Sequence, residues 1–565
     1  MNLNIHAKKQ NTYDAIVVGT GMSGGWAAKE LTEKGLHTLV LERGRNVRHV
    51  EDYPTMNKDP WELPRGDRLT DEESKKYQIT NRVTTVREST KHWFIKDSVQ
   101  PYEEMKRFDW LRCYHVGGRS LVWGRQSYRF SPMDFEANAV EGVAIDWPIR
   151  YEDIEPWYNY VEEFAGISGQ PEGLDQLPDS KFLPPMELNC LEKYARNKFL
   201  ELYEGRVLTP GRVANLTQPH QGRGACQYRN LCNRGCPYGA YYSSNSSTLP
   251  AAERTGNMTL QPHSIVNSII YDPELKKAVG VRVIDAETGT MNEYYSKIIF
   301  LNAGCINTTL IMLNSKSDRF PNGLGNDSGE LGHNLMDHHF RVGASGTFDG
   351  FEDKYYWGRN PNGFYIPRFR NIGNDRRNYL RGFGFRGRAS REGWWRAIRE
   401  HAIGKDLKEF VSTPGKWTMG LSAFGEMLPD HKNRIWLDYE KLDQWGQPTV
   451  VFDCSFKENE YSMRVDMKND AAEMLERAGF DDITTFDNSG GPGSCNHEMG
   501  TARMGHDPET SVLNRWNQVH SVPNVFVTDG ACMTSNACQN PSLTYMALTA
   551  RAANYAHEQL DKQNL

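Results

Sequence analysis

The chain has 565 residues, of which 38% are hydrophobic and 11% aromatic, and its formal net charge is -6. These values exclude a disordered chain and a single small domain, and they predict a folded protein with more than one domain. The weak negative charge gives no indication of nucleic-acid binding, and no run approaches the ~20 apolar residues that cross a bilayer.

The first ten residues, Met1–Gln10, contain two lysines and no apolar run, so they show no secretory signal. Ten cysteines in a chain of this length are too few for a disulfide scaffold. Three of them lie within eleven residues of sequence, which favours metal or cofactor chemistry at that place.

Residues 14–25 combine an apolar strand, a glycine-rich turn and the start of a helix, which we expect from about Trp26. Gly19 allows a tight turn, Gly21 lets a pyrophosphate approach the backbone, and Gly24 lets the helix pack on the strand. The helix N-terminus would then face the anion. The residues of this turn that we assign to the cofactor are Gly19, Gly21, Met22, Ser23 and Gly24.

A second predicted strand, residues 38–41, ends at Glu42, twenty-three residues after Gly19. An acid at this position can accept hydrogen bonds from the ribose hydroxyls of an adenosine. We therefore predict a dinucleotide site that includes Glu42 and Arg43. The motif alone does not separate FAD from NAD.

Residues 45–110 are charged and interrupted by prolines, which predicts a surface excursion with short helices. A second glycine-rich segment follows at residues 114–125, where Gly117 and Gly118 permit close backbone approach to a flat ligand. Its GGxSxxW pattern resembles the glucose-methanol-choline (GMC) family of flavoprotein oxidoreductases. That resemblance implies FAD as the cofactor, contacted by Gly117, Gly118, Ser120, Trp123 and Gly124. Some relatives link a histidine covalently to the flavin where this chain has Val122, so we expect non-covalent FAD.

A loop at residues 220–240 carries Cys226, Cys232 and Cys236, the last followed by a proline. Three interpretations remain open. A structural zinc would need a fourth ligand, for which His220 is the nearest candidate. The cysteines could also be unligated or disulfide-bonded. We favour an iron-sulfur cluster held by one loop, of the three-iron [3Fe-4S] type because a fourth thiolate is missing.

The C-x5-C-x3-C-P spacing resembles the flavin subunits of bacterial gluconate, fructose, glucose and glucoside 3-dehydrogenases. Some of those subunits carry a three-iron cluster. The resemblance implies a small partner subunit, a cytochrome c acceptor and work in the periplasm. We expect the partner subunit to carry the folded chain across the membrane; otherwise the protein stays in the cytoplasm.

Further strands of the nucleotide-binding core are predicted after the cysteine loop. Strands are expected at residues 259–270, 277–283 and 297–301, and the last of these leads to Ala303 and Gly304, which the resemblance places near the flavin. His338 and His339 then follow at the exit from this core. They could be catalytic, but we favour a role in holding the crossover.

Catalysis is predicted in residues 495–505. Oxidising an alcohol by hydride transfer needs a base for the hydroxyl proton, and imidazole suits that work at neutral pH. His497 matches the family's catalytic histidine, and Asn540 matches its partner, which is a second histidine in other members. Because an asparagine cannot be a base, His497 would act as base alone. The resemblance also assigns Asp529 and Gly530 to the flavin, and we assign Asn496 and Glu426 to the substrate.

The predicted fold is α/β, with a Rossmann-like FAD-binding domain and a substrate domain on a mainly antiparallel sheet with helices. The FAD-binding domain takes residues 1–340 and 487–565, and the substrate domain takes residues 341–486, which are rich in aromatic residues such as Tyr355, Tyr356, Trp357, Trp394, Trp395 and Trp417. We predict an FAD-dependent sugar or glycoside dehydrogenase that passes electrons through the cluster. The alternatives are an oxygen-using GMC oxidase and a non-catalytic flavin-binding subunit.

Overall fold

The computed structural model of the protein describes residues 11–355, 362–393 and 403–565. Met1–Gln10 and four of the aromatic residues expected near the substrate (Tyr356, Trp357, Trp394 and Trp395) lie outside the described residues. Of the other two, Tyr355 is exposed and Trp417 is buried.

The strands, in chain order, are β1 (Thr12–Val18), β2 (Thr38–Leu41), β3 (Tyr102–Glu104), β4 (Thr209–Pro210), β5 (Met258–Gln261), β6 (Ser264–Asp272), β7 (Lys277–Asp285), β8 (Met291–Leu301), β9 (His339–Phe348), β10 (Phe364–Ile366), β11 (Phe383–Arg391), β12 (Trp417–Gly425), β13 (Arg434–Leu442), β14 (Pro448–Asp453), β15 (Asp481–Asp487), β16 (Gln518–Val519) and β17 (Val522–Val527). The α-helices are α1 (Met22–Glu33), α2 (Asp71–Ser74), α3 (Gln78–Val83), α4 (Pro132–Glu141), α5 (Tyr151–Ala165), α6 (Cys190–Leu202), α7 (Thr248–Arg254), α8 (Cys305–Asn314), α9 (Gly404–Ser412), α10 (Glu458–Arg477) and α11 (Ser542–Asp561).

The first sheet has a parallel centre with the order β17-β8-β1-β2-β5. The end of β1 is apolar without interruption and is buried on both faces. Ala15 and Val17 share a core cluster with residues of α1, and Ile16 and Val18 belong to a second cluster with residues of β6, β7 and α8. Such burial on both faces is typical of parallel strands. Helix α1 packs against α7 and the C-terminal helix α11. This arrangement confirms the predicted α/β fold with a Rossmann-like core.

Two element boundaries differ from the sequence prediction. Helix α1 begins at Met22 instead of Trp26, because Gly21 already has the extended conformation of a helix N-cap. The strand expected at residues 259–270 is divided into β5 and β6. Pro262 separates the two strands, and His263 has a left-handed φ of 56° that no strand accommodates.

The second sheet is antiparallel, with the order β15-β9-β12-β11-β10-β4, and α10 packs on one of its faces. This sheet also takes β4 from the N-terminal part of the chain. A third sheet joins β13 and β14 to β3, which lies in the predicted surface excursion. The antiparallel sheet agrees with the predicted fold class, while the proposed domain boundaries at residues 340 and 487 stay a prediction.

None of the helices formed by the described residues combines the length and the apolar character needed to span a bilayer.

Candidate active site

A cavity of about 310 Å³ opens at the carboxyl ends of β1, β8 and β17. In open parallel sheets this edge is where nucleotides bind. Gly24 and Gly117 lie behind the cavity wall, whereas the other residues that the sequence assigned to the cofactor line it. These are Gly19, Gly21, Met22, Ser23, Glu42, Arg43, Gly118, Ser120, Trp123, Gly124, Ala303, Gly304, Asp529 and Gly530.

The glycines of this cavity fall into two groups. A Cβ on Gly24 would lie 2.0 Å from the carbonyl oxygen of Gly19, and one on Gly19 would lie 2.4 Å from that of Asn302, so both are required by the protein's own packing. A Cβ on Gly21 or Gly304 would meet no atom within 4 Å. The second group therefore forms a cradle that a side chain would fill, as expected where backbone approaches a ligand.

Glu42 lies at the far wall of the cavity and is held from two sides. Its Oε1 accepts from the backbone N–H of Gly44 at 3.0 Å, and its Oε2 accepts from the hydroxyl of Thr20. Burial raises the pKa of this carboxyl. The hydroxyl of Thr20 also accepts from the N–H of Gly117 at 2.9 Å. Gly117 thus contributes to the site by fixing Thr20 and Glu42.

Seven buried polar atoms of residues that line the cavity have no hydrogen-bond partner among the described residues. They are Nδ2 of Asn302, Oη of Tyr545, Oδ1 of Asn496, Oε1 of Gln126 and the Nε atoms of Arg43, Arg112 and Arg125. Buried polar groups without partners are rare, and a polar ligand is one way in which they are satisfied. Together with the cradle of glycines, these atoms show that the residues present fit a bound dinucleotide such as FAD.

His497 and Asn540 line the same cavity, although they are 43 residues apart in sequence. The Nε2 atom of His497 lies 3.3 Å from Nδ2 of Asn540. On the other side of the ring, Nδ1 of His497 lies 2.8 Å from Nδ1 of His338, and Nε2 of His338 contacts the backbone carbonyl of Ala537. The structure thus brings the predicted pair together and adds His338.

The hydrogen-bond partners define which nitrogen of His497 carries the proton. The carbonyl of Ala537 only accepts, so Nε2 of His338 carries a hydrogen. Burial lowers the pKa of His338 to about 4, so this ring is neutral and its Nδ1 accepts. Nδ1 of His497 must therefore donate, which leaves its Nε2 as a lone pair beside the amide of Asn540. That lone pair is the proton acceptor that alcohol oxidation needs.

The loop that carries His497 is fixed by Asp337. The two oxygens of this carboxylate accept from the backbone N–H groups of Cys495 and His497, both at 3.0 Å. Burial and the neighbouring Glu498 raise the pKa of Asp337 to about 7. Glu498 itself is bound by both terminal nitrogens of Arg119, at 2.9 and 2.7 Å.

Asn496 and Glu426, which the sequence assigned to the substrate, lie in different places. Asn496 lines the cavity and has a left-handed φ of 61°. Glu426 lies outside the cavity lining, is 1% exposed, and pairs with Arg368 at 3.3 Å. Burial raises the pKa of Glu426 to about 8. A substrate role for Glu426 stays a prediction that its position does not favour.

The three loop cysteines are free thiols, which rules out the disulfide interpretation in this structure. They are close enough that Cys232 and Cys236 add to burial in raising the pKa of the Cys226 thiol. His220, the candidate fourth zinc ligand, has its Nε2 atom 2.7 Å from the backbone carbonyl of Glu163.

Among the described residues, only Asp337, His338, Cys495 and His497 place metal-ligand atoms all within 4.8 Å of one another. The choice between zinc and an iron-sulfur cluster at the loop cysteines stays a prediction.

Sequence reasoning missed part of the site. It favoured a structural role for His338, which the structure places against His497, and it gave no role to Asp337, Arg119 or Glu498. A local signal existed for Glu498, which follows His497 directly, and for Arg119, which stands between Gly118 and Ser120 in the glycine-rich segment. Asp337 lies 160 residues from His497, and its two bonds to the loop backbone leave no trace in the sequence.

The chain belongs to the GMC oxidoreductase family, whose members bind FAD. Residues 13–340 match the N-terminal family model and residues 429–549 match the C-terminal one. It is 28% identical to a 2-methyl-1,2-propanediol dehydrogenase of Mycolicibacterium austroafricanum, over 96% of this chain and 94% of the relative. It is 26% identical to a fructose dehydrogenase large subunit of Gluconobacter japonicus, over 96% and 97%.

The fold is also similar to the crystal structure of a pyridoxine 4-oxidase from Mesorbium loti. The TM-score is 0.57 at 15% identity, and the match covers 96% of this chain and 99% of that one. The chain is thus a GMC-family oxidoreductase of the kind that acts on alcohol groups.

Proposed function

We propose that the protein is an FAD-dependent dehydrogenase that oxidises a hydroxyl of a sugar or glycoside, with C3 of a glucoside as one candidate position. The observation that carries this proposal is the lone pair on Nε2 of His497, held beside the amide of Asn540 at the cavity wall. The similarity to a fructose dehydrogenase large subunit supports a sugar substrate.

Non-covalent FAD would lie in the cradle formed by Gly21 and Gly304, and when bound it supplies a hydride acceptor at N5. His497 takes the hydroxyl proton at Nε2, while the amide of Asn540 donates to the substrate oxygen. The imidazolium that forms is stabilised through Nδ1, which donates to His338. Asp337 keeps the loop in place throughout.

The test is a screen of sugars and glycosides with the FAD-loaded protein and an artificial electron acceptor, followed by identification of the product. Flavin bleaching by a sugar, with a keto-sugar as product, supports the proposal. Bleaching by no sugar contradicts it. Steady peroxide production without an artificial acceptor would instead indicate an oxygen-using oxidase.

The proposal includes a [3Fe-4S] cluster on Cys226, Cys232 and Cys236, which would pass single electrons from the reduced flavin to an acceptor. The supporting observations are that the three thiols are free and that Cys232 and Cys236 lie near enough to Cys226 to raise the pKa of its thiol. Replacing Cys232 by Ser should remove iron and slow transfer to a natural acceptor, while substrate still bleaches the flavin. Iron analysis and low-temperature EPR of the oxidised protein test for the cluster, and zinc in place of iron would contradict the cluster assignment.

We further propose a small partner subunit, a cytochrome c acceptor and a periplasmic location reached together with that subunit. The large-subunit name of the Gluconobacter relative supports the partner. Cell fractionation with and without the small-subunit gene tests the location. Periplasmic activity that disappears on deletion supports it, and activity confined to the cytoplasm in both strains contradicts it.

A further inference from the structure

The second sheet has one face on α10, and its other face borders a groove of about 610 Å³. Side chains alternate along β11, so Phe385 and Ala389 enter the core while Arg386 and Arg388 lie on the groove side. We call this space the arginine groove.

The floor between the two arginines is made of small residues. In the register of β11 and β12, Ser422 pairs with Arg386 and Gly420 pairs with Arg388. A Cβ on Gly420 would meet no atom within 4 Å, and Ser345 of β9 lies beside it. The groove therefore has room above its floor, and hydroxyl groups lie next to the two guanidinium groups.

The described lining of the arginine groove is positively charged. It includes a third arginine, Arg341, and among the described residues it has no aspartate or glutamate. In the described ranges none of these three arginines forms an ion pair with a carboxylate. Arg341 donates to the backbone carbonyl of Val83, and Arg386 stacks 3.3 Å from the centre of the Phe424 ring. Arg386 is half-buried, whereas Arg341 and Arg388 are exposed. The half-buried guanidinium of Arg386 is costly without a counter-charge, and an anionic ligand would offset that cost.

The arginine groove continues from the catalytic cavity. Gln126 lines both spaces. The charge of Arg386 contributes to lowering the pKa of His338 and of His497, so this guanidinium is near the catalytic imidazole. One small molecule can therefore reach His497 with one end and the arginine groove with the other.

We propose that the substrate carries an anionic group, a carboxylate or a phosphate, which Arg386 and Arg388 bind while a hydroxyl of the same molecule lies against His497. This inference rests on the proposed function for its hydroxyl end and names the class of substrate more closely: a sugar acid or a sugar phosphate.

The test compares glucose with gluconate, glucuronate and glucose 6-phosphate, using steady-state turnover of the FAD-loaded full chain with an artificial electron acceptor. At least one anionic sugar should exceed glucose in kcat/KM by about ten- to hundredfold, the range expected for hydrogen bonds to a charged group. A preference for the acids indicates a sugar acid, and a preference for the phosphate indicates a sugar phosphate.

The matched variants are Arg388→Gln in the groove and Arg282→Gln on β7, which removes a charge far from it at an exposed pair with Glu293. Arg388→Gln should raise KM for the anionic sugar about tenfold or more and leave kcat nearly unchanged, because the anionic group is bound equally in the ground and transition states. Arg282→Gln should change neither value. The proposal is overturned if glucose is used as well as every anionic sugar, or if Arg388→Gln leaves KM unchanged.

Isothermal titration calorimetry with gluconate and glucose 6-phosphate separates this inference from the proposed function. If no sugar reduces the flavin, the proposed function fails. Binding of either anion that Arg388→Gln abolishes would still support the arginine groove as an anion site. Absence of binding, or binding that Arg388→Gln does not weaken, would overturn it.

Discussion

The Nδ1 atom of His338 lies 2.8 Å from the Nδ1 atom of His497, and the far side of the His338 ring contacts the carbonyl of Ala537. Two facing ring nitrogens form a hydrogen bond only when one carries a hydrogen and the other does not. Because the carbonyl of Ala537 fixes the hydrogen of His338 on Nε2, Nδ1 of His497 donates and the lone pair on its Nε2 is directed at Asn540. A backbone carbonyl thus determines the tautomer of His497, the proposed base, from two hydrogen bonds away.

His338→Phe should lower the rate of flavin reduction by about 10²-fold or more, because His497 loses the acceptor that holds its hydrogen on Nδ1. Nitrogen-15 NMR of the histidines should show His497 protonated at Nδ1 in the native protein and at Nε2 in the variant. His338→Gln, whose side-chain oxygen still accepts, should recover part of the rate. An unchanged tautomer together with the native rate would show that His338 does not position His497.

Asp337→Asn should lower flavin reduction by about 10²-fold, since an amide offers only one acceptor for the two N–H groups of Cys495 and His497. The loop would then shift and displace the imidazole. Asp14→Asn, at an exposed pair with Lys297, is the control for loss of a carboxylate. Equal rates of flavin reduction in Asp337→Asn and Asp14→Asn would show that Asp337 does not position His497.

The pH dependence of flavin reduction follows from the lowered pKa of His497. Burial and the charges of Arg386 and Arg119 disfavour the imidazolium, so the pKa lies well below the ordinary value of 6.5. The base is lost only when the pH falls below that lowered pKa. His497 itself therefore adds no acidic limb above pH 6.5. Asp337, whose pKa is raised to about 7, does lose its charge in that window, so the rate of the native protein should fall as the pH drops through about 7, whereas the residual rate of Asp337→Asn should be level from pH 8 to pH 6.5. Stopped-flow measurements on both proteins between about pH 5 and pH 9 test this, and an acidic limb at or above pH 6.5 in Asp337→Asn would contradict it.

Gly21→Ala and Gly24→Ala should separate cofactor binding from packing. Gly21 has φ -68° and open space at its Cβ position, so alanine there should change the stability of the apo-protein by less than ~0.5 kcal/mol and weaken FAD binding. In Gly24→Ala the new Cβ would overlap the Gly19 carbonyl and cost about 1–3 kcal/mol or more. Thermal unfolding of the two apo-proteins measures the change in stability, and FAD titration measures the change in FAD affinity. Equal FAD affinity in native and Gly21→Ala protein would mean that no ligand approaches this backbone.

The sequence predicts the nucleotide edge of the site because its residues are local. The strand, turn and helix around Gly19 and the acid at Glu42 lie within thirty residues, and their spacing reflects one βαβ unit. The residues around His497 are different. Asp337, His338 and Ala537 reach it from distant parts of the chain. The carboxylate of Asp337 binds backbone N–H groups and the backbone carbonyl of Ala537 binds His338, and any residue type supplies such backbone groups, while His338 contacts His497 ring to ring. Such contacts depend on the tertiary fold, so no spacing in the sequence could reveal them.

The arginine groove could not be predicted from the sequence either. Arg386 and Arg388 stand in a strand that alternates between core and surface, a pattern that is also typical of a solvated face. Only the absence of acidic side chains from the surrounding lining, as far as the structure describes it, distinguishes a binding surface from an ordinary one.

The most direct test of the central claim is anaerobic rapid mixing of the best substrate with FAD-loaded native protein, His497→Ala and Asn540→Ala. Our account predicts that His497→Ala loses about 10²- to 10⁴-fold in the rate of flavin reduction, because its proton acceptor is gone, with FAD still bound. Asn540→Ala should lose less, since it removes one hydrogen bond to the substrate oxygen. A His497→Ala variant that reduces its flavin at nearly the native rate would contradict the account.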